Sequence, residues 1–335
     1  MTDVSQIAEP RRTAQWLASC LEFSEERVGR AALIVSELAS NLAKHAQRGE
    51  VLMRTLTAED GEPSGIEILA LDKGPGMPDV ALSRRDGYST SGTLGHGLGA
   101  IERQADSFEI YTHKSGTVIA TRMWRTGPPA AGPGSRFEVG AVQVSKAGEA
   151  VCGDAWSWRM REGRMAVFVA DGLGHGLPAH EAAESAIRVF AGSHETPPAR
   201  LVEDVHAALK PTRGAAVASL AINLDRGVAA FAGLGNIAAT VLLPDGGRYS
   251  MVSHNGTAGH TAARIQEFSY PVPRNAIVVM SSDGMSSRWD LKVYPGLTSR
   301  SASVIAGVLY RDFSRRRDDV TVVVARERTP IADKE

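Results

Sequence analysis

Asp72-Lys-Gly-Pro-Gly-Met-Pro-Asp79 and, after a polar segment, Leu94-Gly-His-Gly-Leu-Gly99 frame the stretch on which the rest of the sequence is hung. Asp72, Gly74 and Gly76 open it, Gly95, Gly97 and Gly99 close it, and the polar segment Ser83–Thr93 between them is expected to be mobile. Glycines this dense occur where backbone turns through positive φ or where N–H groups approach an anion closely. Turn use alone accounts for either cluster taken singly. The pentapeptide Leu94-Gly-His-Gly-Leu98 recurs as Leu173-Gly-His-Gly-Leu177, either as an internal repeat or by coincidence.

Outward from this stretch, Ile66–Leu71 reads as a strand that delivers Asp72, with Ile66, Ile68 and Ala70 alternating against Glu67 and Leu69. Val51–Thr57 reads as its predecessor, with Gly61–Gly65 as the turn between them. Leu98–Gln104 reads as a helix starting at Gly95–Gly99, where free N–H groups and the helix dipole can hold phosphate. Phe108–Thr112 and Thr117–Trp124 follow as strands joined by His113–Gly116. Upstream, Glu9-Pro10 opens a helix with the apolar stripe Ala14, Leu17, Ala18 and Leu21. Ser24, followed by Glu25-Glu26, caps a second helix that buries Val28, Ala31, Val35, Leu38 and Leu42. On that helix Glu37, Asn41 and His45 fall at i, i+4 and i+8 and share one side. They read either as a solvated polar face or as a carboxylate and an amide oxygen held to act on a metal-bound phosphate. Helices first, then strands with one helix between them, describe an α+β sandwich and not a doubly wound sheet.

These residues resemble a known family. Glu37-x-x-x-Asn41, Asp72-x-Gly74-x-Gly76, Gly95-His-Gly-Leu-Gly99 and Thr117 stand in the order and spacing of the GHKL-type ATP-binding fold shared by gyrase, Hsp90, histidine kinases and anti-sigma-factor kinases. Asp72–Asp79, Gly87-Tyr-Ser-Thr90 and the domain's compact length look most like the switch serine kinases of stress-response partner-switching modules. The resemblance implies that Asp72 accepts from the adenine amino group with Thr117 nearby. It also implies that Gly74 and Gly76 shape the nucleotide pocket, that Gly95, His96, Gly97, Leu98 and Gly99 form the phosphate cradle of bound ATP, that Asn41 holds Mg²⁺, and that Glu37 is the candidate base for the attacking serine. Phosphoryl transfer needs these same parts: a metal, anion-binding backbone and a carboxylate near the nucleophile. No dimerisation helix with a phospho-acceptor histidine precedes the domain, so a histidine kinase is not expected.

Composition bounds the alternatives. The chain has 335 residues, which suggests two domains, and a formal net charge of −1, which points neither to nucleic acid nor to an anionic membrane surface. Its two cysteines, Cys20 and Cys152, lie far apart, against a disulfide scaffold or a cysteine zinc site. No apolar run reaches the roughly 18 residues of a membrane span and Met1–Ser5 lacks the start of a signal peptide, so a cytoplasmic protein is expected.

The run Thr126–Ser135, rich in Pro, Gly and Ala, reads as a linker. We therefore expect a kinase-like domain over 1–126, a linker over 127–135, a second domain over 136–328 and a tail over 329–335. Short strands are expected in the second domain at Phe137–Val144, Met165–Ala170, Ala216–Leu224, Val228–Ala232, Ala238–Leu243, Ala276–Ser281 and Val320–Ala325, with helices after Pro178 and over Ser301–Arg315. This pattern suggests two antiparallel sheets flanked by helices. Aspartates sit at strand ends: Met165–Ala170 runs into Asp171-Gly172, Ile277–Met280 runs through two serines into Asp283-Gly284, Asp318-Asp319 precedes Val320, and Asp154 follows Cys152-Gly153. Rigidly placed carboxylates beside glycines suit a hard divalent ion, although any one Asp-Gly is also an ordinary turn.

The order again resembles a family: the metal-dependent (PP2C-like) serine/threonine phosphatases, in the compact bacterial branch that includes the sporulation phosphatase SpoIIE and the stress-module feedback phosphatase. The matching residues are Cys152-Gly-Asp154, Val169-Ala-Asp171-Gly172, Thr212–Ala216, Gly233-Leu-Gly-Asn236, Ser281-Ser-Asp283-Gly284 and Asp318-Asp-Val-Thr321. The resemblance implies an αββα sandwich and a two-metal Mn²⁺ or Mg²⁺ site in which Asp171 bridges the ions, the Gly172 carbonyl joins it, and Asp154, Asp283 and Asp318 complete the shells. Whether Asp318 or Asp319 touches metal stays open, with Asp318 the better alignment. Larger relatives carry a histidine after the first Asp-Gly and a phosphate-gripping arginine near the domain start. Here Leu173 holds the first position, Arg136 is a loose candidate for the second, and His175 reads as a loop histidine.

The expected function is a bifunctional partner switch. An ATP-dependent serine kinase domain and a metal-dependent phosphoserine phosphatase domain would act on STAS-domain proteins, either anti-sigma antagonists or stressosome-type subunits. The alternatives are a phosphatase regulated by a non-catalytic ATP-binding domain and a non-enzymatic binding switch.

Overall fold

A computed structural model describes residues 7–46, 48–58, 62–80, 97–128, 136–194 and 196–328. Ser83–Thr93, Gly87–Thr90, Gly95 and His96 lie outside the described residues. The chain divides into two compact units, Met1–Ala131 with Ser299–Asp312, and Gly132–Thr298 with Phe313–Glu335.

In the first unit, helices α1 (Ala8–Cys20) and α2 (Glu25–His45) precede strands β1 (Glu50–Thr57) and β2 (Pro63–Leu71), the short helix α3 (Leu98–Gln104), and strands β3 (Ser107–His113) and β4 (Gly116–Trp124). The capping expectation holds: the Ser24 hydroxyl accepts from the Arg27 N–H at 3.3 Å. The strands form an antiparallel sheet in the order β1-β2-β4-β3. One face packs Ile66, Ile68 and Met123 against Ala14, Ala18, Ile34, Leu38 and Ile101 from the helices. The turn expected at Gly61–Gly65 is shorter than the sequence suggests, because Pro63 already pairs with Thr57 and Gly65 with Leu56.

The second unit contains β5 (Phe137–Val144), β6 (Asp154–Arg161), β7 (Arg164–Gly172), α4 (Leu177–Gly192), α5 (Pro198–Ala208), β8 (Ala215–Asn223), β9 (Val228–Leu234), β10 (Ala238–Leu242), β11 (Arg248–Ser250), β12 (Gly256–Thr257), β13 (Thr261–Ala262), β14 (Phe268–Pro271), β15 (Ile277–Ser281) and β16 (Val320–Glu327). Two antiparallel five-stranded sheets, β11-β10-β15-β16-β5 and β14-β9-β8-β7-β6, enclose a core of Val167, Val169, Leu220 and Phe231 with Val241, Val278, Met280 and Val323. Helices α4 and α5 cover the outer face of the second sheet, with Phe190, Leu201 and Val205 packed on Phe168, Val217 and Ala232. The sequence reading missed β6 and α5. Trp156, Trp158 and Met160 alternate with Ser157, Arg159 and Arg161, which is a strand signal, and Pro197-Pro198 followed by Leu201, Val202 and Val205 is a helix start with its stripe.

Helix α6 (Ala302–Phe313) lies between β15 and β16 in the chain, yet Ser299–Asp312 groups with the first unit. Every residue from Ala302 to Arg311 is buried, and full burial of Val304, Ile305, Val308 and Leu309 contributes about 1.5–3 kcal/mol each. A Cβ built on Gly307 would stand 3.1 Å from Val118 and 3.2 Å from Leu71, so the helix lies tightly on the second face of the first sheet. On this second face Glu67, Leu69 and Leu71 of β2 are buried as fully as Ile66 and Ile68 on the first. Strand register sets Arg54, Glu67 and Arg122 in a row across β1, β2 and β4. The Glu67 carboxylate accepts from Arg54 Nε at 2.6 Å, Arg122 Nε at 2.7 Å and the Ser303 hydroxyl of α6 at 2.6 Å. Burial pushes the Glu67 carboxyl up, but the two guanidinium groups and these hydrogen bonds outweigh it and hold it at about 2.

Candidate functional site

In the first unit, the end of β2 is locked to the start of β4. Asp72 N–H donates to the Thr117 carbonyl at 3.0 Å, and the Asp72 Oδ1 accepts from Gly74 N–H at 2.6 Å. Thr117 is buried, and its hydroxyl lies 3.4 Å from that of Thr112, which in turn accepts from Met77 N–H at 2.7 Å. Gly76 has φ +81°, and a Cβ there would stand 2.5 Å from the His113 carbonyl, so only glycine passes. Asp72, Gly74, Gly76 and Thr117 are thus gathered at one end of the sheet.

Gly97 caps α3, and among the described residues no atom outside its chain neighbours lies within 4 Å of where its Cβ would be; Leu98 and Gly99 are buried. Glu37 and Asn41 stand half-buried on α2, whereas His45 is exposed. Glu37 opens into a cleft of about 710 Å³ lined also by Arg11, Arg12, Gln15, Ser36 and Ser40.

In the second unit, the register of β6 on β7 sets Asp154 directly opposite Asp171. Facing residues of an antiparallel pair hold their Cβ atoms about 5 Å apart, so the two carboxylates share one face. Asp154 is 1% exposed; its Oδ2 accepts from the Ser282 hydroxyl at 2.6 Å, and its Oδ1 is buried without a partner. The same Ser282 hydroxyl accepts from Thr321 N–H at 2.9 Å, which ties β6, β15 and β16 together at this end. Asp319 is also buried, with Oδ1 accepting from Lys146 N–H at 2.9 Å and Oδ2 unpartnered. Asp318 is exposed beside it and accepts from Asp319 N–H at 3.0 Å. Asp283 is exposed and accepts from Asn236 Nδ2 at 2.7 Å. Gly172 admits no side chain, because a Cβ there would stand 2.1 Å from the Ala179 carbonyl.

Electrostatics at this end run opposite to those at Glu67. Burial first, then the charges of Asp154, Asp283, Asp318 and Asp319, push the Asp171 carboxyl far above the usual range. Asp154 is likewise raised, by burial and by Asp319 and Asp283, although hydrogen bonds from Ser282 and Thr321 oppose the shift. Among the described residues no three acidic, histidine or cysteine side chains are drawn into a closed ligand shell. Even so, orphaned carboxylate oxygens in an acidic cluster are the donor set that a hard divalent cation requires.

Sequence reasoning left open whether Asp318 or Asp319 joins the cluster, and it missed Ser282 as the tie. The doubled Asp318-Asp319 and Ser281-Ser282 were the only signals available. Arg136 is not at this end. It pairs with Asp225 at the Phe137 end of β5, whereas Val144, at the other end, faces Val320 next to Asp319. His175 bonds Glu149 at 2.5 Å on the exposed loop before α4, as a loop histidine does. The end of each Leu-Gly-His-Gly-Leu copy starts a helix, with Gly97 capping α3 at Leu98 and Gly176 capping α4 at Leu177.

Residues 2–123 match the histidine kinase-like ATPase domain family, and residues 161–328 match the stage II sporulation protein E (SpoIIE) family. The chain belongs to the SpoIIE family and joins it to a histidine kinase-like ATPase domain. Serine/threonine-protein kinase RsbT of Bacillus subtilis (strain 168) is 34% identical over 119 residues, 35% of this chain and 88% of RsbT. Phosphoserine phosphatase RsbX of the same organism is 23% identical over 186 residues, 54% of this chain and 90% of RsbX. A chain solved in work on the bacterial stressosome is 28% identical with a TM-score of 0.53, covering 57% of this chain and 99% of that one. RsbX in complex with magnesium shares the fold at 20% identity and a TM-score of 0.50, covering 57% of this chain and 96% of that one. The SpoIIE-family chain thus pairs an RsbT-like serine kinase domain with a PP2C-type phosphatase domain. Among the described residues, no helix is long and apolar enough to cross a membrane.

Proposed function

We propose that this chain is a two-enzyme partner switch: its first unit phosphorylates a serine on a STAS-domain protein with ATP, and its second removes phosphate from phosphoserine in the same circuit. The observation that carries the phosphatase assignment is the Asp154–Asp171 pair, set opposite by strand register among further aspartates that raise both carboxyls. Asp171, the Gly172 carbonyl, Asp283 and Asp318 would hold Mn²⁺ or Mg²⁺, with Asp154 and Asp319 behind them as buried acceptors. A divalent ion held by these residues would supply Lewis-acid polarisation of a phosphoryl group and lower the pKa of water.

In the first unit, Asp72 and Thr117 would read adenine, and Gly74 and Gly76 would let the nucleotide approach the backbone. Gly95, His96, Gly97, Leu98 and Gly99 would cradle the phosphates, and Asn41 would hold Mg²⁺. Glu37, whose cleft opens between α1 and α2, would take the proton of the incoming serine hydroxyl. The similarity to RsbT and RsbX supports a STAS-type partner.

The test incubates the purified full chain with STAS-domain proteins encoded beside its gene, first with labelled ATP and Mg²⁺, then as phosphoproteins with Mn²⁺. Transfer should disappear in Glu37→Ala and dephosphorylation in Asp171→Ala. Activity that survives chelator would refute the metal assignment, and unchanged transfer in Glu37→Ala would remove Glu37 as the base.

A further inference from the structure

We propose that the loop Leu173-Gly-His-Gly-Leu177 and Arg213 form the substrate-reading lip of the second unit. Arg213 takes phosphate oxygens, and the two leucines take aliphatic side chains that flank a phosphoserine in a protein partner. The inference rests on the phosphatase proposed above and adds the substrate feature that its site selects.

The loop prolongs two strands that are already paired. β7 and β8 set Asp171 opposite Ala216 and Gly172 opposite Ala215. One step further, Leu173 N–H donates to the Gly214 carbonyl at 2.9 Å. The next step brings Gly174 against Arg213, and a Cβ on Gly174 would stand 3.3 Å from Arg213 Nη1. At about 3.3 Å per residue, the guanidinium stands roughly 10 Å along the strand direction from Asp171. Ion–oxygen bonds of about 2.0–2.6 Å and a charge-assisted hydrogen bond of about 2.8 Å leave room between the two for one phosphate group. Arg213 is exposed and pairs with no acid among the described residues, so its planar fork is open to phosphate oxygens. Its backbone is fixed from both sides. The Thr212 hydroxyl donates to the Leu209 carbonyl at 2.7 Å and accepts from Gly214 N–H at 3.0 Å. Gly214 has φ +79°, and a Cβ there would stand 2.5 Å from the Ala258 carbonyl.

The leucines are held outward by the same restrained backbone. Gly174 and Gly176, between them, turn through φ +92° and +71°. Three ties fix the five residues: the Leu173 bond to Gly214, a 2.5 Å bond between His175 Nδ1 and Glu149 Oε1, and the Gly176 carbonyl, which accepts from His180 N–H at 3.0 Å. The second tie leads back to the acidic end, because Glu149 N–H bonds the Lys146 carbonyl at 3.0 Å and Lys146 N–H bonds Asp319. Leu173 and Leu177 nevertheless stay 56% and 58% exposed. A loop tied this way does not fold them inward, so the apolar surface they present is covered only from outside. A small phosphate ester would engage Arg213 and leave both leucines bare. A phosphoserine with aliphatic neighbours in a protein chain engages all three, with the charge and the apolar contact each matched.

The experiment compares the full wild-type chain with Arg213→Ala and with the double variant Leu173→Ser, Leu177→Ser, all in Mg²⁺. Phosphorus-31 line widths read the binding of inorganic phosphate. Values of kcat and KM are taken on two phosphoserine peptides, one flanked by leucine and isoleucine and the other by serine and glycine. Arg213→Ala should weaken phosphate binding and raise KM on both peptides by about tenfold or more, the loss of one charge-assisted pair. The leucine variant should lower the preference for the aliphatic peptide by about tenfold or more. All three side chains are exposed, so both variants should melt with the wild type, which separates lost recognition from lost fold. Phosphate binding and KM left unaltered by Arg213→Ala overturn the role of Arg213. A wild-type chain without preference for the aliphatic peptide, or a leucine variant that keeps it, overturns the role of the leucines. A wild-type chain inert toward both peptides overturns the proposed phosphatase and the lip with it.

Discussion

Buried acid is handled in two opposite ways in this protein. Glu67 lies between two arginines and a serine hydroxyl, and its carboxyl is held at about 2. Asp154 and Asp171 lie among further aspartates with orphaned oxygens nearby, and their carboxyls are pushed up. Both clusters are made by strand register, so the backbone does not tell them apart. Charge balance does. A carboxylate neutralised by its own chain is a structural device, whereas a cluster left unbalanced by a well-packed fold is waiting for a cation from solution.

Metal dependence offers the sharpest break of this contrast. Asp171→Asn should cost on the order of 10³-fold or more in phosphatase rate, since metal stabilisation of the transition state is several kcal/mol. In chelator the same variant should melt higher than wild type, because it removes a repelling charge; a lower melting point there would mean the cluster is balanced after all. Glu67→Ala should do the reverse, lowering stability by about 3 kcal/mol in denaturant titrations and leaving two arginines facing a void. Unchanged stability would show that solvent already neutralises Arg54 and Arg122.

A smaller effect should attend Ser282→Ala. With the Asp154 orientation loosened, Mn²⁺ affinity should fall about 10–100-fold in a titration followed by the free-ion electron paramagnetic resonance signal. Smallest, and most diagnostic, is the pH response in chelator. Glu67 is depressed from 4.5 to about 2, so its contribution is complete above about 4.5 and is lost as pH falls towards 2. Asp154 and Asp171 are raised, so the folded form holds protons that the unfolded chain releases, and stability falls as pH rises towards neutrality. Melting curves of Glu67→Gln and Asp171→Asn across pH should each flatten one limb only, and Mn²⁺ should remove the neutral limb in the wild type.

How much of this was written in the sequence differs between the halves. Asp72, Gly74, Gly76 and Thr117 are close along a strand–turn–strand path, so local spacing foretold their meeting. Asp171 and Asp283 after apolar strands foretold carboxylates at strand ends, but the Asp154–Asp171 facing needed β6, whose tryptophans were not read as a strand. Glu67 was unreadable in isolation. At an alternating position it reads as solvent-facing, and only a helix arriving from far along the chain, with Ser303 in hydrogen-bond reach, makes that face interior. Long-range covering of a sheet leaves no periodic trace in the strand that is covered.

The placement of α6 also has a consequence for how the protein is made. Leu71 and Val118 of the first sheet are covered by a helix that leaves the ribosome only after most of the second unit has been translated. At about 5–20 residues per second, the interval between residue 131 and residue 299 is roughly 10–30 s, during which that apolar face has no cover from its own chain. Synthesis order therefore leaves one face of the first sheet without its helix until most of the second unit has been translated.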